Sequence, residues 1–161
     1  MGGEKRPDAA QAGGGSSETA PLRARALRLL ARREHSRQEL ARKLGPADPD
    51  AVTVLLDELQ ARGWLSEQRL ADQLLHAAVG RFGTRKVMQQ LAQKGVSQEV
   101  VAQARRRALE NELESARAVW LKRFGKAPAS LRERARQARF LERRGFEPEV
   151  IRTVLGGDSE E

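Results

Sequence analysis

The sequence contains no cysteine and no tyrosine, and aromatic residues make up only 4% of its 161 residues. Without cysteine the chain can form no disulfide, no thiolate zinc site and no cysteine nucleophile. Runs of alternating β-branched residues are nearly absent, whereas the helix formers Ala, Leu, Arg, Glu and Gln dominate. We therefore expect an all-α protein whose core is built mainly from Leu, Val and Ala.

Long apolar runs are also missing. No segment approaches the ~20 apolar residues that a membrane span needs, and the N-terminal residues carry no apolar signal core. These features predict a cytoplasmic protein that makes no membrane contact. The two histidines, His35 and His76, lack metal-ligand spacing, and no serine elbow, phosphate-binding loop or dinucleotide motif is present. We therefore expect no enzyme, no catalytic residue, no metal and no cofactor.

Positive charge is plentiful, and it is unevenly distributed. The formal net charge is +8, but residues 81–145 alone hold 17 Lys and Arg against 6 Asp and Glu. Residues 146–161 are acidic. A basic segment of this size indicates a polyanion or an acidic protein surface as the partner, although any single helical Arg can serve only as a solvated face.

One pattern occurs three times, as DPDAVTVL at 48–55, SQEVVAQA at 97–104 and EPEVIRTV at 147–154. Each copy follows a helix that ends in glycine, at Gly45, Gly95 and Gly145. Glycine in this place is typical of a helix C-cap with positive φ, and the apolar residue after it packs back onto the helix. The chain therefore repeats a small helical unit about every 50 residues.

This repeat predicts the organisation of the chain as three tandem three-helix repeats, which resemble helix-turn-helix units. Units this small bury little surface alone, so their stability should come from stacking on neighbours. Helix starts are signalled by a capping box at Ser36 and Glu39 and by Asp48 before Pro49. The predicted segments are a disordered tail at 1–20, repeats at 21–62, 63–112 and 113–157, and an acidic tail at 158–161.

A stripe of arginines is predicted on one helix of the last repeat, in SLRERARQARFLERRG (130–145). Arg132, Arg136, Arg139 and Arg143 fall within about 60° of one another and extend over about 16 Å. Like charges at this spacing repel, so we interpret the stripe as a binding surface. The structural alternative is that acidic residues of the neighbouring repeat pair with these arginines.

Two further faces are predicted in this repeat. Leu131, Ala135 and Ala138 should form a face of the same helix that is separate from the stripe. Ala116, Trp120 and Phe124 share a helical face that we interpret as core. Three short helices with tight turns also leave open a basic DNA-binding transcriptional regulator as an alternative function, although three copies in one chain are unusual for a sequence-reading repressor.

The chain resembles the RecX regulatory proteins, which modulate the recombinase RecA. The likeness covers about residues 22–156 and is strongest over GWLSEQRLADQLLHAAVGRFGTRKVMQQLAQKGV (63–96). The matching positions there are Gly63, Trp64, Glu67, Arg69, Leu70, Ala71, Arg81, Gly83, Lys86, Val87, Leu91, Lys94, Gly95 and Val96. The family's C-terminal signature, Phe-Leu-x-Arg-Arg-Gly-Phe, stands at Phe140 to Phe146.

The resemblance implies a non-enzymatic inhibitor of RecA built as an elongated, curved array of three-helix repeats. Such a protein binds the RecA–DNA filament, suppresses its ATPase, strand exchange and growth, and so affects recombination, DNA repair and the SOS response. We expect a monomer that contacts single-stranded or duplex DNA through its basic surface. The residues predicted to bind RecA or DNA are Arg81, Arg85, Lys86, Lys94, Arg132, Arg136, Arg139, Arg143 and Arg144.

Overall fold

The structure, a computed structural model, describes residues 15–156, with side chains from residue 19 onwards. All regular secondary structure in this range is α-helical, which confirms the predicted fold class. The helices are α1 (Gly15–Arg32), α2 (Arg37–Leu44), α3 (Pro49–Ala61), α4 (Glu67–Ala78), α5 (Thr84–Gln93), α6 (Gln98–Glu110), α7 (Glu112–Arg123), α8 (Leu131–Arg143) and α9 (Pro148–Val154). Between residues 15 and 156 no helix is long and apolar enough to cross a membrane.

Helix starts follow the local signals in the sequence. Ser36 and Glu39 form a reciprocal capping box, in which the Glu39 N–H donates to Ser36 Oγ at 3.0 Å and the Ser36 N–H donates to Glu39 Oε1 at 3.1 Å. Asp48 caps α3 by accepting from the Asp50 N–H at 3.3 Å, and Pro49 occupies the first turn. Side chains thus satisfy backbone donors that a helix start would leave unpaired.

Helix ends confirm the predicted glycine caps. Gly95 and Gly145 have φ of +68° and +87°, in the region that favours glycine. The next residues, Val96 and Phe146, are buried, and the Phe146 N–H donates to Leu141 O at 3.3 Å. The chain therefore turns back at each glycine and places an apolar side chain against the helix just completed.

The first compact unit extends to Leu65. Its core joins Ala26 of α1 and Leu40 of α2 to three leucines of α3, which are Leu55, Leu56 and Leu59. These residues recur at helical spacing, so each helix buries one apolar stripe against the other two.

One polar side chain, His35, lies inside this unit and is 1% exposed. Its Nδ1 donates to Arg33 O at 2.9 Å, and its Nε2 accepts from Lys43 Nζ at 3.1 Å. Burial lowers the pKa of His35, and the nearby positive charges of Arg33 and Lys43 act in the same direction, against the hydrogen bond to the Arg33 backbone, which raises it. The folded unit therefore favours the neutral imidazole.

The second compact unit begins at Ser66 and contains two three-helix repeats, α4–α6 and α7–α9. Each repeat has its own core, centred on Leu91 in the first and on Leu141 and Phe146 in the second. Main-chain atoms join the two, because the Gly83 N–H donates to Arg144 O at 2.8 Å and the Arg85 N–H donates to Gly145 O at 3.0 Å. A Cβ on Gly83 would lie 2.4 Å from Gly145 O, so only glycine permits this approach.

One expectation needs correction. Helix α1 begins at Gly15, so residues 15–20 are helical rather than part of the predicted tail, and Pro21 lies inside the helix. The face of α8 predicted from Leu131, Ala135 and Ala138 is mixed in burial: Leu131 is 87% exposed and Ala135 is also exposed, whereas Ala138 packs on the core. The predicted tail segments at 1–14 and 158–161 lie outside the described residues.

Candidate partner-binding surface

Helix α8 presents its arginine stripe to solvent. Ser130 caps the helix by accepting from the Glu133 N–H at 3.2 Å, and the inward face carries the buried Gln137 and Leu141. Gln137 is held by two hydrogen bonds, accepting from Trp120 Nε1 at 2.8 Å and donating to Lys126 O at 3.2 Å. This inward packing fixes the rotation of the helix and leaves the four stripe residues exposed, which are Arg132, Arg136, Arg139 and Arg143.

Aromatic rings lie beneath part of the stripe. Phe124 and Phe140 meet edge to face with centroids 5.3 Å apart. Arg136 Cζ stands 5.7 Å from the Phe124 centroid, and Arg123 Cζ stands 5.7 Å from that of Phe140. These distances suit cation–π attraction. The interpretation of Phe124 as core is therefore wrong: Ala116 is buried and Trp120 packs on the core, but Phe124 lines a groove.

The groove has a volume of about 430 Å³. It is lined by two rings and four guanidinium groups, those of Phe124, Phe140, Arg123, Arg136, Arg139 and Arg143. The arginines therefore border a concave site with apolar rings and positively charged walls, in which several guanidinium groups can meet one ligand.

A second group of cations surrounds Phe82. Lys86 Nζ lies 4.6 Å from the ring centroid, Arg144 Cζ 5.5 Å and Arg81 Cζ 5.7 Å. Arg144 also lies 5.2 Å from the centroid of Phe140 and donates to Arg81 O at 3.2 Å. Arg144 thus connects the cations around Phe82 with the residues that line the groove.

We call the combined set the aromatic–basic surface. It consists of Phe82, Phe124 and Phe140 with Arg81, Lys86, Arg123, Arg136, Arg139, Arg143 and Arg144, and all of it lies in the second unit. Seven cations held near one another repel, and rings relieve only part of that cost. An anionic partner would relieve the remaining repulsion among these cations.

Three predicted residues lie apart from this surface. Arg85 Nε is 3.9 Å from Glu147 Oε2, and Arg105 approaches the other oxygen of the same carboxylate at 3.9 Å. Lys94 is the C-cap residue that follows α5, eight residues or about 12 Å beyond Lys86. Arg132 lies in the first turn of α8, before the part of the helix that borders the groove. The structure therefore gathers six of the nine predicted residues.

No group of three or more His, Asp or Glu side chains that could hold a metal ion occurs in the described part of the chain. The surface is instead suited to charge recognition, because its guanidinium groups are planar donors that match phosphate and carboxylate groups.

Three sequence models of one family match the chain in order. The first, second and third three-helix domains of RecX match residues 23–59, 66–104 and 110–155. The chain belongs to the RecX family. These matches also confirm the three tandem three-helix units that the sequence repeat predicts.

Known RecX proteins agree with this assignment. A protein of Leptothrix cholodnii named regulatory protein RecX is 48% identical over 136 residues, covering 83% of this chain and 87% of its own. A protein of Chromobacterium violaceum with the same name is 43% identical, covering 91% of this chain and 96% of its own. The crystal structure of RecX from Lactobacillus salivarius superposes with a TM-score of 0.75 at 16% identity, covering 88% of this chain and 97% of that one.

Sequence reasoning missed Arg123 and the rings of the surface in this RecX-family chain. Phe140 begins the family signature, but its role beneath Arg123 and Arg144 depends on packing between α7, α8 and the loop before α5. The adjacent pair Arg123 and Phe124 at the end of α7 was the available signal, since surfaces that bind single-stranded nucleic acid combine cations with aromatic rings.

Proposed function

We propose that this protein is a non-enzymatic negative regulator of RecA, which acts in the cytoplasm. It binds the RecA–DNA filament and inhibits ATP hydrolysis, strand exchange and filament growth, and so it limits recombination, DNA repair and the SOS response. Membership of the RecX family supports this proposal, because the relatives of this chain are named regulatory proteins.

The observation that carries the proposal is the aromatic–basic surface. A RecA–DNA filament is a polyanion, and a cluster of Lys and Arg gains affinity for it by releasing counterions. The rings hold the guanidinium groups of Arg136 and Arg144 near fixed positions, which lowers the entropy lost on binding. The surface can therefore contact phosphates or acidic side chains with little rearrangement.

The residues proposed for these contacts are those gathered on the surface: Arg81, Lys86, Arg136, Arg139, Arg143 and Arg144, with Arg123 added from the structure. We also propose contacts outside this surface, which a long filament could reach, at Arg85, Lys94 and Arg132.

The test is ATP hydrolysis by RecA on single-stranded DNA while the protein is titrated in. We expect inhibition at concentrations well below that of RecA, because one blocked position on a filament affects many subunits. Inhibition that needs more protein than there are DNA binding sites would point to simple competition for DNA. A sequence-specific footprint on duplex DNA that persists at high salt would favour the transcriptional regulator instead.

A further inference from the structure

The first compact unit has a basic face of its own, on α1. Arg25, Arg28 and Arg32 are all exposed, and their spacing along the helix places them within about 60° of one another. Ala26 is completely buried and Leu30 packs on the core, so the rotation of α1 is fixed with these three arginines in solvent. We call Arg25, Arg28 and Arg32 the α1 arginines.

The α1 arginines have no acidic partner. Residues 19–33 contain five arginines and no Asp or Glu. In the described part of the chain, no carboxylate lies within ion-pair distance of an α1 arginine. Four other arginines of this unit do pair with carboxylates, Arg23 with Glu58 at 2.5 Å, Arg33 with Glu39 at 3.0 Å, Arg37 with Asp57 at 2.7 Å and Arg62 with Glu58 at 3.2 Å.

The fold gains little from positive charge at these positions. Arg32 lies in the last turn of α1, where a cation stabilises the helix dipole, but this effect decays within one turn and does not extend to Arg25 and Arg28. Neighbouring α1 arginines stand three and four residues apart, a spacing at which like charges repel. An anionic ligand that met all three would relieve this repulsion.

The chemistry of the ligand follows from the length and the surroundings of this face. The α1 arginines extend over about 10 Å along the helix, and each strand of duplex DNA carries a phosphate every ~3.4 Å along its axis. A nucleic-acid backbone therefore offers a separate phosphate to each guanidinium group. An acidic protein surface would have to hold several carboxylates in line at this spacing, against their own repulsion.

The same face lacks groups that recognise bases. The exposed residues beside the α1 arginines are Ala24 and Ala31, which have no side-chain donor or acceptor for a base edge. Helix α1 also contains no aromatic ring on which a base could stack. The face is therefore suited to phosphates and not to sequence.

We propose that the α1 arginines bind the phosphate backbone of DNA through charge, without reading its sequence. This site belongs to a different compact unit from the aromatic–basic surface, so it adds a contact that does not require that surface. Each phosphate contact releases counterions, and its share of the affinity falls as salt rises. Three contacts to duplex DNA contribute about −2.7 to the slope of log K against log salt, which is a loss of about 40-fold in affinity between about 50 and 200 mM salt.

The experiment measures the affinity of the full chain for short duplex DNA by fluorescence anisotropy over a series of salt concentrations. The variant combines Arg25→Gln, Arg28→Gln and Arg32→Gln. Its slope should be shallower by about 2.7, and equally so on two duplexes of unrelated sequence. Gln is a helix former similar to Arg, so the fold should be retained, and thermal unfolding checks this.

The matched control removes the same charge from exposed positions of the second unit outside the aromatic–basic surface, by Arg106→Gln, Arg117→Gln and Arg152→Gln. It should change the slope by less than about 1. Replacing the three α1 arginines by Lys keeps the charge and should keep the slope, because contact through charge does not need the guanidinium plane. If the triple Gln variant does not fold, Arg28→Gln alone should make the slope shallower by about 1.

Three outcomes would overturn the proposal: an unchanged slope in the folded triple Gln variant, an equal change in the control, or a lost slope in the Lys variant. The assay contains no RecA. Lost RecA inhibition with an intact salt slope would therefore contradict only the proposed function, and an unchanged slope beside full RecA inhibition would contradict only this site.

Discussion

Replacing Arg136 and Arg139 together by Glu reverses the charge at the centre of the arginine groove. Both residues line the groove, and the double change alters the local charge by −4. If two contacts worth about 1 kcal/mol each are lost, filament affinity falls about 30-fold, and the new repulsion adds to this. The loss should be larger at low salt, where charges are least screened.

The fold should survive this change. Arg and Glu are similar helix formers, and loss of the Arg136–Phe124 contact costs about 0.5–1 kcal/mol at an exposed site. A new pair between position 139 and Arg143 contributes about 0.2–0.5 kcal/mol in return. For a compact unit of this size the melting temperature should fall by less than about 8 °C.

The assay pairs thermal unfolding with inhibition of RecA ATP hydrolysis. The matched control is Arg106→Glu with Arg117→Glu, which makes the same charge change at exposed positions of α6 and α7 outside the aromatic–basic surface. Full inhibition by a stable double variant would refute the binding role of the groove. A large loss of stability would show that these arginines serve the fold.

Two further predictions concern stability. Gly145→Ala should lower the melting temperature, because φ is +87° and the added Cβ would lie 2.7 Å from Lys86 N. Differential scanning calorimetry measures the melting temperature, and an unchanged transition would contradict the role of Gly145 as a helix C-cap. His35 should make the first unit less stable below about pH 6.5, since a lowered pKa means that the unfolded chain binds the proton more readily. Urea unfolding should show that the free energy of unfolding declines less between pH 7.5 and 5 in His35→Gln than in the unchanged protein. An equal decline in both proteins would reject this role for the histidine.

Features set by neighbouring residues in the chain were predictable. The capping box at Ser36 and the turn at Gly145 depend on side chains and backbone within a few residues, so the sequence pattern is sufficient to locate them. The exposure of all four stripe arginines also follows from helical spacing.

Features that depend on tertiary packing were not predictable. Buried Gln137 occupies a core position because Trp120 Nε1 and Lys126 O satisfy its amide, and a hydropathy pattern does not mark a polar residue as core. Leu131 is the opposite case, an apolar residue that is exposed, because it precedes the part of α8 that packs inward. The approach of Arg144 to Phe82 joins residues more than sixty positions apart, which no local pattern encodes.

The position of Arg144 between two rings has a thermodynamic consequence. Phe82 belongs to one repeat and Phe140 to the next, so any ligand that needs Arg144 in this place also needs the two repeats docked. Binding and docking are then linked functions, and each strengthens the other by the same free energy. A substitution at Gly83, which does not line the groove, would weaken binding by loosening the contact between the repeats, and a ligand bound through Arg144 would in turn hold the repeats together.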